Sequence, residues 1–471
     1  MADRPFPRRT FLSQAIGSSA ALCSASSWAA TSPRRERPNI VYIMSDQQHW
    51  QALGLVDSFF QTPHLDSFAA DAVSFDRAFC TTPQCSPSRS SMMTGLYPTK
   101  TGVMGNIGAA GGEDLPLPSF GSMLQQAGYQ TGYFGKWHLG RDPIGYGGWE
   151  TENRKLRDPD VTNSAVEYLN RLEVAKGPAC LVVSYLDPHD VYHFRPGKNP
   201  RKDPDTPLSA SWSEEDLDKK PKCQKEFMTK DQGRLIWKQD REIWQAYHEF
   251  YREKVRLVDE HIGRVLEAIK AAGLWDDTII VIGSDHGDMD TNHRLIFKGP
   301  FMYEHMVRVP LLVRVPKKFG GIGHKGICDY DAVNVDLVPT IRDFAGLEPI
   351  ETDGISLKPI LTGIPNPPKR DFVIGQYYSK QRWVNPIRMI RTAEFKYNKY
   401  IDHGEELYDL VNDPEELVNL ADDAGYADTQ RALAADLDRW IEENQDPFYS
   451  MKTTRLEKGF GWPKRSKAKG S

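Results

Sequence analysis

Cysteine is scarce in this chain: six in 471 residues, with no CxxC pair and no zinc-type spacing. That excludes a disulfide-built scaffold and a zinc framework, so the core must hold the fold largely unaided. An excess of one charge is missing too. Lys and Arg number 59 against 64 Asp and Glu, a formal charge of −5, which speaks against a nucleic-acid partner and leaves room for a local basic pocket around a small anion. No apolar run reaches the about 20 residues that a membrane span requires, so stable membrane insertion is not expected. No internal repeat is visible. What is present, 39% hydrophobic and 11% aromatic residues, suffices for a large core in a chain of about two or three domains.

The beginning of the chain reads as an address. Arg8 and Arg9 precede Phe11, Leu12 and a mild apolar stretch from Ala15 to Leu22, and Ser27-Trp28-Ala29 offers small residues for cleavage. This pattern describes a twin-arginine export signal over residues 1–30, and so an exported bacterial protein, periplasmic or extracellular. Cys23 is a poor site for lipid attachment because Leu22 is bulky where a small residue is needed. Once Cys23 leaves with the signal and Cys85 is set aside for chemistry, Cys80, Cys180, Cys223 and Cys328 allow two disulfides or none.

Short apolar runs alternate with helical patterns, which predicts an α/β fold with a sheet layered by helices. Residues 39–44, 130–134, 180–186, 278–283 and 311–315 are apolar throughout, as strands covered on both faces are. Residues 244–272 form one helix, with Tyr247, Tyr251, Val255, Val258, Ile262, Val265, Leu266 and Ile269 at three- and four-residue steps and Gly273 as its stop. The catalytic domain spans 36–350, and residues 190–241, rich in Pro, Lys and Asp, read as a long surface insertion within it. A Pro-rich passage over 348–369 marks a boundary. Runs at 373–378, 389–392 and 396–400 and a helix near 429–444 then predict a C-terminal α+β subdomain over 370–450, followed by a disordered basic tail over 451–471.

The chemistry begins at Cys85-Ser86-Pro87-Ser88-Arg89. Pro87 suits the first turn of a helix and Gly95 its end. Cys85 then stands at a helix N-terminus, where free N–H groups and the dipole favour negative charge, and Arg89 faces the same way. On residues alone this is a thiol in an anion-friendly corner, a nucleophilic cysteine or simply a buried one. Gly135-Lys136-Trp137-His138 closes a strand and delivers a cation and an imidazole to one side, which suits an anionic substrate and a proton transfer, or else a solvated turn. Asp46 and Gln47 follow one strand, and Asp285 and His286 another. Loops at strand C-termini are where open α/β sheets bind ligands, and these groups suit a divalent cation, although Asp also serves turns there. His189 opens the insertion and Lys298 lies in Ile296-Phe297-Lys298-Gly299-Pro300; alone, each would be surface decoration.

Cys85 to Arg89 with the Thr94-Gly95 ending, and Gly135 to Gly140, resemble the two signatures of the sulfatase family, the type I, formylglycine-dependent branch of the alkaline phosphatase superfamily. The resemblance runs through nearly all of the chain after the signal, to Glu406-Leu407-Tyr408-Asp409-Leu410 and Asp413-Pro414-Glu415. It implies a large mixed sheet sandwiched by helices with a smaller C-terminal subdomain, and a sulfuric ester hydrolase whose Cys85 is oxidised to formylglycine by a formylglycine-generating enzyme. It also implies that Asp46, Gln47, Asp285 and His286, with residue 85, bind one divalent cation, and that Arg89, Lys136, His138, His189 and Lys298 are catalytic. In the implied mechanism one hydroxyl of the hydrated aldehyde attacks sulfur, while the cation, Lys136, Lys298 and Arg89 stabilise charge. His189 or Lys298 protonates the leaving alcohol, and His138 takes the proton of the second hydroxyl so that sulfate departs.

The sequence departs from the commonest sulfatase pattern at Gln47, where many members carry Asp, and at His286, where Asn is frequent. One carboxylate fewer and one imidazole more soften the site, which brings Mn²⁺ or Mg²⁺ beside Ca²⁺, the ion the resemblance favours. The same departure occurs in related phosphonate monoester and phosphodiester hydrolases, the alternative activity. An inactive protein that binds sulfated glycans is the alternative of another class. Export points to a sulfated carbohydrate substrate, with His193, Arg195, Asp290, His293, Arg294, Arg382 and Trp383 expected along its pocket. Trp383 either stacks on a sugar or fills a domain interface.

Overall fold

Apolar runs covered on both faces place the strands at the centre of the molecule. The computed structural model describes residues 37–143, 147–153, 157–173, 176–214, 217–323 and 326–456; the expected export signal lies outside them. The strands in chain order are β1 (Asn39–Asp46), β2 (Val73–Phe75), β3 (Ala78–Phe79), β4 (Gln130–Gly135), β5 (Thr151–Asn153), β6 (Ala179–Pro188), β7 (Thr278–Ser284), β8 (Leu311–Arg314), β9 (Ile327–Cys328) and β10 (Ala332–Val333). Eight of them form one sheet in the order β5-β4-β6-β1-β7-β8-β2-β9, and β3 pairs with β10. The sheet is mixed. β1 runs parallel to both β6 and β7, whereas β8 runs antiparallel to β7.

Alternation along β1 feeds two cores. Ile40, Tyr42 and Met44 enter one layer with Met92 and Met93 of the helix Cys85–Thr94 and with Val338 and Ile341 of the helix Leu337–Phe344. Val41 and Ile43 enter the other, against the helix Asp158–Asn170 and Val258, Ile262, Val265 and Ile269 of the helix Arg241–Ala271. Each such side chain, fully buried, contributes about 1.5–3 kcal/mol. The cysteines Cys80, Cys85, Cys180, Cys223 and Cys328 are free thiols, so of the two options no disulfide forms among them. No helix of the described residues is long and apolar enough to cross a membrane.

The stretch 190–241 differs from the expected surface loop. It contains the helices Ala210–Glu214 and Lys222–Lys230, and Phe194, Cys223, Phe227, Met228 and Ile236 are buried in the main core. Cys223 and Phe227 stand one turn apart, too short a pattern to register as periodicity.

The C-terminal sheet is antiparallel: β11 (Val373–Lys380), β12 (Trp383–Arg391), β13 (Phe395–Tyr400) and β14 (Glu405–Asp409), with β15 (Thr454–Arg455) on β12. The helix Ala427–Glu443 covers one face through Leu433, Leu437 and Ile441. Val373, Tyr377, Ile387 and Met389 on the other face belong to the main core. The described residues from Arg37 to Leu456 accordingly form one compact unit. Buried ion pairs fasten the junction, with Arg391 3.1 Å from Glu304 and Lys396 2.7 Å from both Glu304 and Glu416. β15 also corrects the expectation that disorder starts at residue 451, because Thr454 and Arg455 pair with Val384 and Trp383.

Candidate active site

The C-terminal ends of the parallel strands β1, β4, β6 and β7 open on one edge of the sheet, where each delivers a side chain: Asp46 closes β1, Lys136 follows β4, His189 follows β6, and Asp285 and His286 follow β7. The turn after β4 depends on Gly135. Its φ is 104° and a Cβ there would lie 1.9 Å from the Ser184 carbonyl oxygen, so only glycine lets the chain turn and bring Lys136 in. The helix Cys85–Thr94 starts at Cys85 and ends at Gly95 with φ 77°. Ser88 Oγ donates to the Asp285 carbonyl at 2.5 Å, which locks this helix against the end of β7.

Cys85 is fully buried and ringed by cationic and imidazole groups. Its Sγ lies 2.9 Å from Lys298 Nζ, 3.2 Å from His286 Nε2, 3.4 Å from Lys136 Nζ and 3.6 Å from Asp46 Oδ1. His138 and His189 also hydrogen-bond it. Burial opposes ionisation of this thiol, yet Lys136 and Lys298, then His286 and the hydrogen bond from His138, outweigh burial and hold it well below the ordinary cysteine range. The same lysines act on His189, which burial, then Lys136 and Lys298, push down to about 4.

Asp46, Cys85, Asp285 and His286 bring ligand atoms within 4.8 Å of one another, all buried. His286 Nδ1 faces the Gly287 carbonyl at 2.9 Å; donating there, it leaves the Nε2 lone pair for the cluster. Asp46 is held below the usual carboxylate range: burial and Cys85 raise it, and Lys136, His189 and Arg89 pull it further down. Two carboxylate oxygens and an imidazole nitrogen are the right donors for a divalent cation. Gln47 reaches the rim of this cluster in left-handed backbone, φ 74°, a conformation that non-glycine residues rarely adopt and that marks functional segments. Its Oε1 accepts from Lys298 Nζ at 2.6 Å and its Nε2 donates to Asp288 Oδ2 at 2.5 Å.

Arg89 is placed differently from expectation. Its donors go to Asp285 at 2.8 Å, Asp46 at 3.0 Å, the Lys136 carbonyl at 2.6 Å and Ser184 at 2.8 Å. It clamps the carboxylates rather than facing an incoming anion.

The expected pocket wall divides. His193, Arg195 and Arg382 are exposed. His193 pairs with Asp190 at 3.5 Å, and Arg195 donates to the carbonyls of Tyr192 and Phe194. His293, 1% exposed, stacks on Tyr303 with ring centres 3.9 Å apart, so it is a core residue and leaves the pocket. Arg294 lies over the rings of Trp212 and Trp237, and Asp290 is buried between His49 and His248. Trp383 is 4% exposed beneath the Arg455 guanidinium, 4.0 Å away. The sugar-stacking option is therefore withdrawn in favour of interface core. Sequence reasoning missed Asp288, which orients the Gln47 amide; a third acid two residues after His286 was the available signal.

Residues 38–347 match the family described as Sulfatase. The chain belongs to the sulfatase family. A second match, over residues 292–443, is to the C-terminal region of N-sulphoglucosamine sulphohydrolase. This sulfatase is 30% identical over 468 residues to a Delta 4,5-hexuronate-2-O-sulfatase of Bacteroides thetaiotaomicron, covering 92% of this chain and 93% of that relative. The structure of a 2-O GAG sulfatase superposes with a TM-score of 0.76 at 28% identity, over 89% of this chain and 95% of the other. The phosphonate monoester hydrolase of Agrobacterium radiobacter shares the fold, with a TM-score of 0.71 at 22% identity over 90% of this chain and all of that one. The sulfatase is a sulfuric ester hydrolase. Its family implies a metal ion and a formylglycine, and the buried Asp46–Cys85–Asp285–His286 cluster has the chemistry to hold such an ion.

Proposed function

We propose that this sulfatase is an exported enzyme that releases sulfate from sulfated carbohydrates, with Cys85 converted to formylglycine and Ca²⁺ held by Asp46, Gln47, Asp285 and His286. The observation that carries the reading is the ring of Lys136, Lys298, His138, His189 and His286 around Cys85. The sulfur marks where the oxygens of the hydrated aldehyde would sit. Converted and hydrated, position 85 would supply a nucleophilic hydroxyl and a second hydroxyl with a proton to lose, and the cation would supply Lewis acidity. Lys136 and Lys298 neutralise the oxygens of the substrate anion. Lys298 or His189 protonates the leaving alcohol, and burial with Lys136 and Lys298 pushes His189 down to about 4, which favours Lys298 in that role. His138 takes the proton at position 85, and Arg89 keeps both carboxylates in place. The carbohydrate class is supported by the hexuronate relative, and export by the paired arginines of residues 8 and 9.

The test is expression with a formylglycine-generating enzyme, mass spectrometry of the Cys85 peptide, and sulfate release from a panel of sulfated mono- and oligosaccharides. Conversion at Cys85 with release from at least one sugar supports the reading; an unconverted yet active enzyme overturns it. Gln47 and His286, both at the cluster, favour one second reading, a formylglycine phosphonate monoester or phosphodiester hydrolase. Faster turnover of an aryl phosphonate ester than of the matching aryl sulfate would establish it.

A further inference from the structure

We propose that Lys380, at the end of β11, is a positioning residue of this active site, holding Lys298 through its backbone carbonyl and through Tyr192, which stacks on the neighbouring Phe297. The proposal rests on the role given above to Lys298.

The hairpin that joins β11 to β12 reaches across from the C-terminal sheet to the rim of the site. Ser379 Oγ donates to the Ala110 carbonyl at 2.6 Å, and Ala110 N donates to the Gln381 carbonyl at 2.8 Å. The loop so gripped also holds the start of the Cys85 helix. Ser86 N donates to Asn106 Oδ1 at 2.9 Å, and Ile107 N donates to Ser86 Oγ at 3.1 Å. The hairpin tip is thus fixed relative to Cys85, and it is rigid enough to aim a neighbouring side chain.

That side chain is Lys380, 5% exposed. Its Nζ donates to the Lys298 carbonyl and, at 3.0 Å, to the Tyr192 hydroxyl. Tyr192 in turn stacks on Phe297, the residue before Lys298, with ring centres 4.1 Å apart, and its ring centre lies 5.8 Å from Lys298 Nζ. Lys298 therefore has its main chain pinned by Lys380 while its own Nζ meets Cys85 Sγ at 2.9 Å and Gln47 Oε1 at 2.6 Å.

Stability does not account for a lysine here. Its amine lies among the rings of Phe227, Tyr192 and Phe297, 4.9, 5.4 and 6.0 Å from their centres, and burial, then Lys298, hold it well below the ordinary lysine range against the pull of Asp231 and Asp288. Burying an amine that charges in water is costly, and a methionine of similar length would fill this aromatic cage. What methionine lacks is the set of N–H donors, and those are spent on Lys298 and Tyr192.

The experiment compares Lys380→Met, Tyr192→Phe, Lys298→Ala and the Lys380→Met/Lys298→Ala double variant in the matured enzyme. An aryl sulfate with a good leaving group keeps slow variants measurable. Lys380→Met is expected to melt at or above the wild-type temperature, to lower kcat by about 10- to 100-fold through misplacement of Lys298, and to change KM far less. Tyr192→Phe lowers kcat in the same direction. The double variant matches Lys298→Ala, because two residues that act through one group do not add. A wild-type kcat in Lys380→Met or in Tyr192→Phe, or a double variant that loses the product of the two single effects, overturns the proposal. A matured wild type inactive on every sulfate ester overturns the functional reading as well, so the two failures are told apart.

Discussion

Arg89 Nε stands 2.8 Å from Asp285 Oδ2 with both side chains shut off from solvent, and the same guanidinium reaches Asp46 at 3.0 Å. Removing one partner of a buried ion pair leaves an uncompensated charge, worth about 3–5 kcal/mol. Arg89→Met is expected to lose stability of that order in urea unfolding, together with its sulfatase activity. An Arg89→Met enzyme as stable as the wild type would mean that other groups neutralise these carboxylates.

Chelation tests the ion. Dialysis against EDTA is expected to abolish sulfate release and to lower the melting temperature, since a cation at about 100 times its Kd stabilises the fold by about 2.7 kcal/mol. Adding back Ca²⁺, Mn²⁺ or Mg²⁺ separately then identifies the native metal by which one restores both signals. Unchanged activity and melting after EDTA would remove the cation from the site.

The burial of Trp383 and His293 separates packing from recognition. Trp383→Ala is expected to cost about 3–5 kcal/mol as a large side chain lost from the core, and His293→Ala to destabilise in the same direction. Neither should move KM by more than about twofold, as befits groups that touch no substrate. A raised KM with unchanged stability would return either residue to the pocket.

Asp187 gives a pH signature. Burial, opposed by Lys254 and reinforced by Asp158 and Asp190, pushes its carboxyl up to about 7. The folded chain then binds this proton more tightly than the unfolded chain, whose value is about 3.9. The associated stability is fully present below about pH 4 and is lost as pH rises through about 7. Asp187→Asn cannot ionise, so it is expected to outlast the wild type in urea at pH 8, with the advantage fading toward pH 4. An advantage independent of pH would show that Asp187 does not titrate in this range.

Much of the site was legible because its residues sit at the ends of local elements. Asp46, Lys136, His189 and Asp285 each follow a strand whose apolar run announces it, and parallel pairing gathers those ends without any further signal. Lys380 and Tyr192 had no such marker: their contacts span 82 and 188 residues, and a lysine closing an apolar strand reads as solvated. His293 was misplaced and Trp383 stayed open between two roles because residue type does not state what covers it, here Tyr303 and Arg455. In β12, Pro386 hid the first half of the strand. Proline reads as a break, and it is accommodated because the pairing with β11 slips register between Ile387 and Val384.

The strand at the middle of the main sheet is also the one translated first. β1 meets its first partner only when β6 has emerged and its second only with β7, so a nascent chain carries Ile40 to Met44 first as an unpaired ribbon and then as one paired along a single edge. Such segments invite intermolecular pairing before the fold can close. Yield from a heterologous host will accordingly track chaperone supply and growth temperature more closely than the thermal resistance of the finished enzyme.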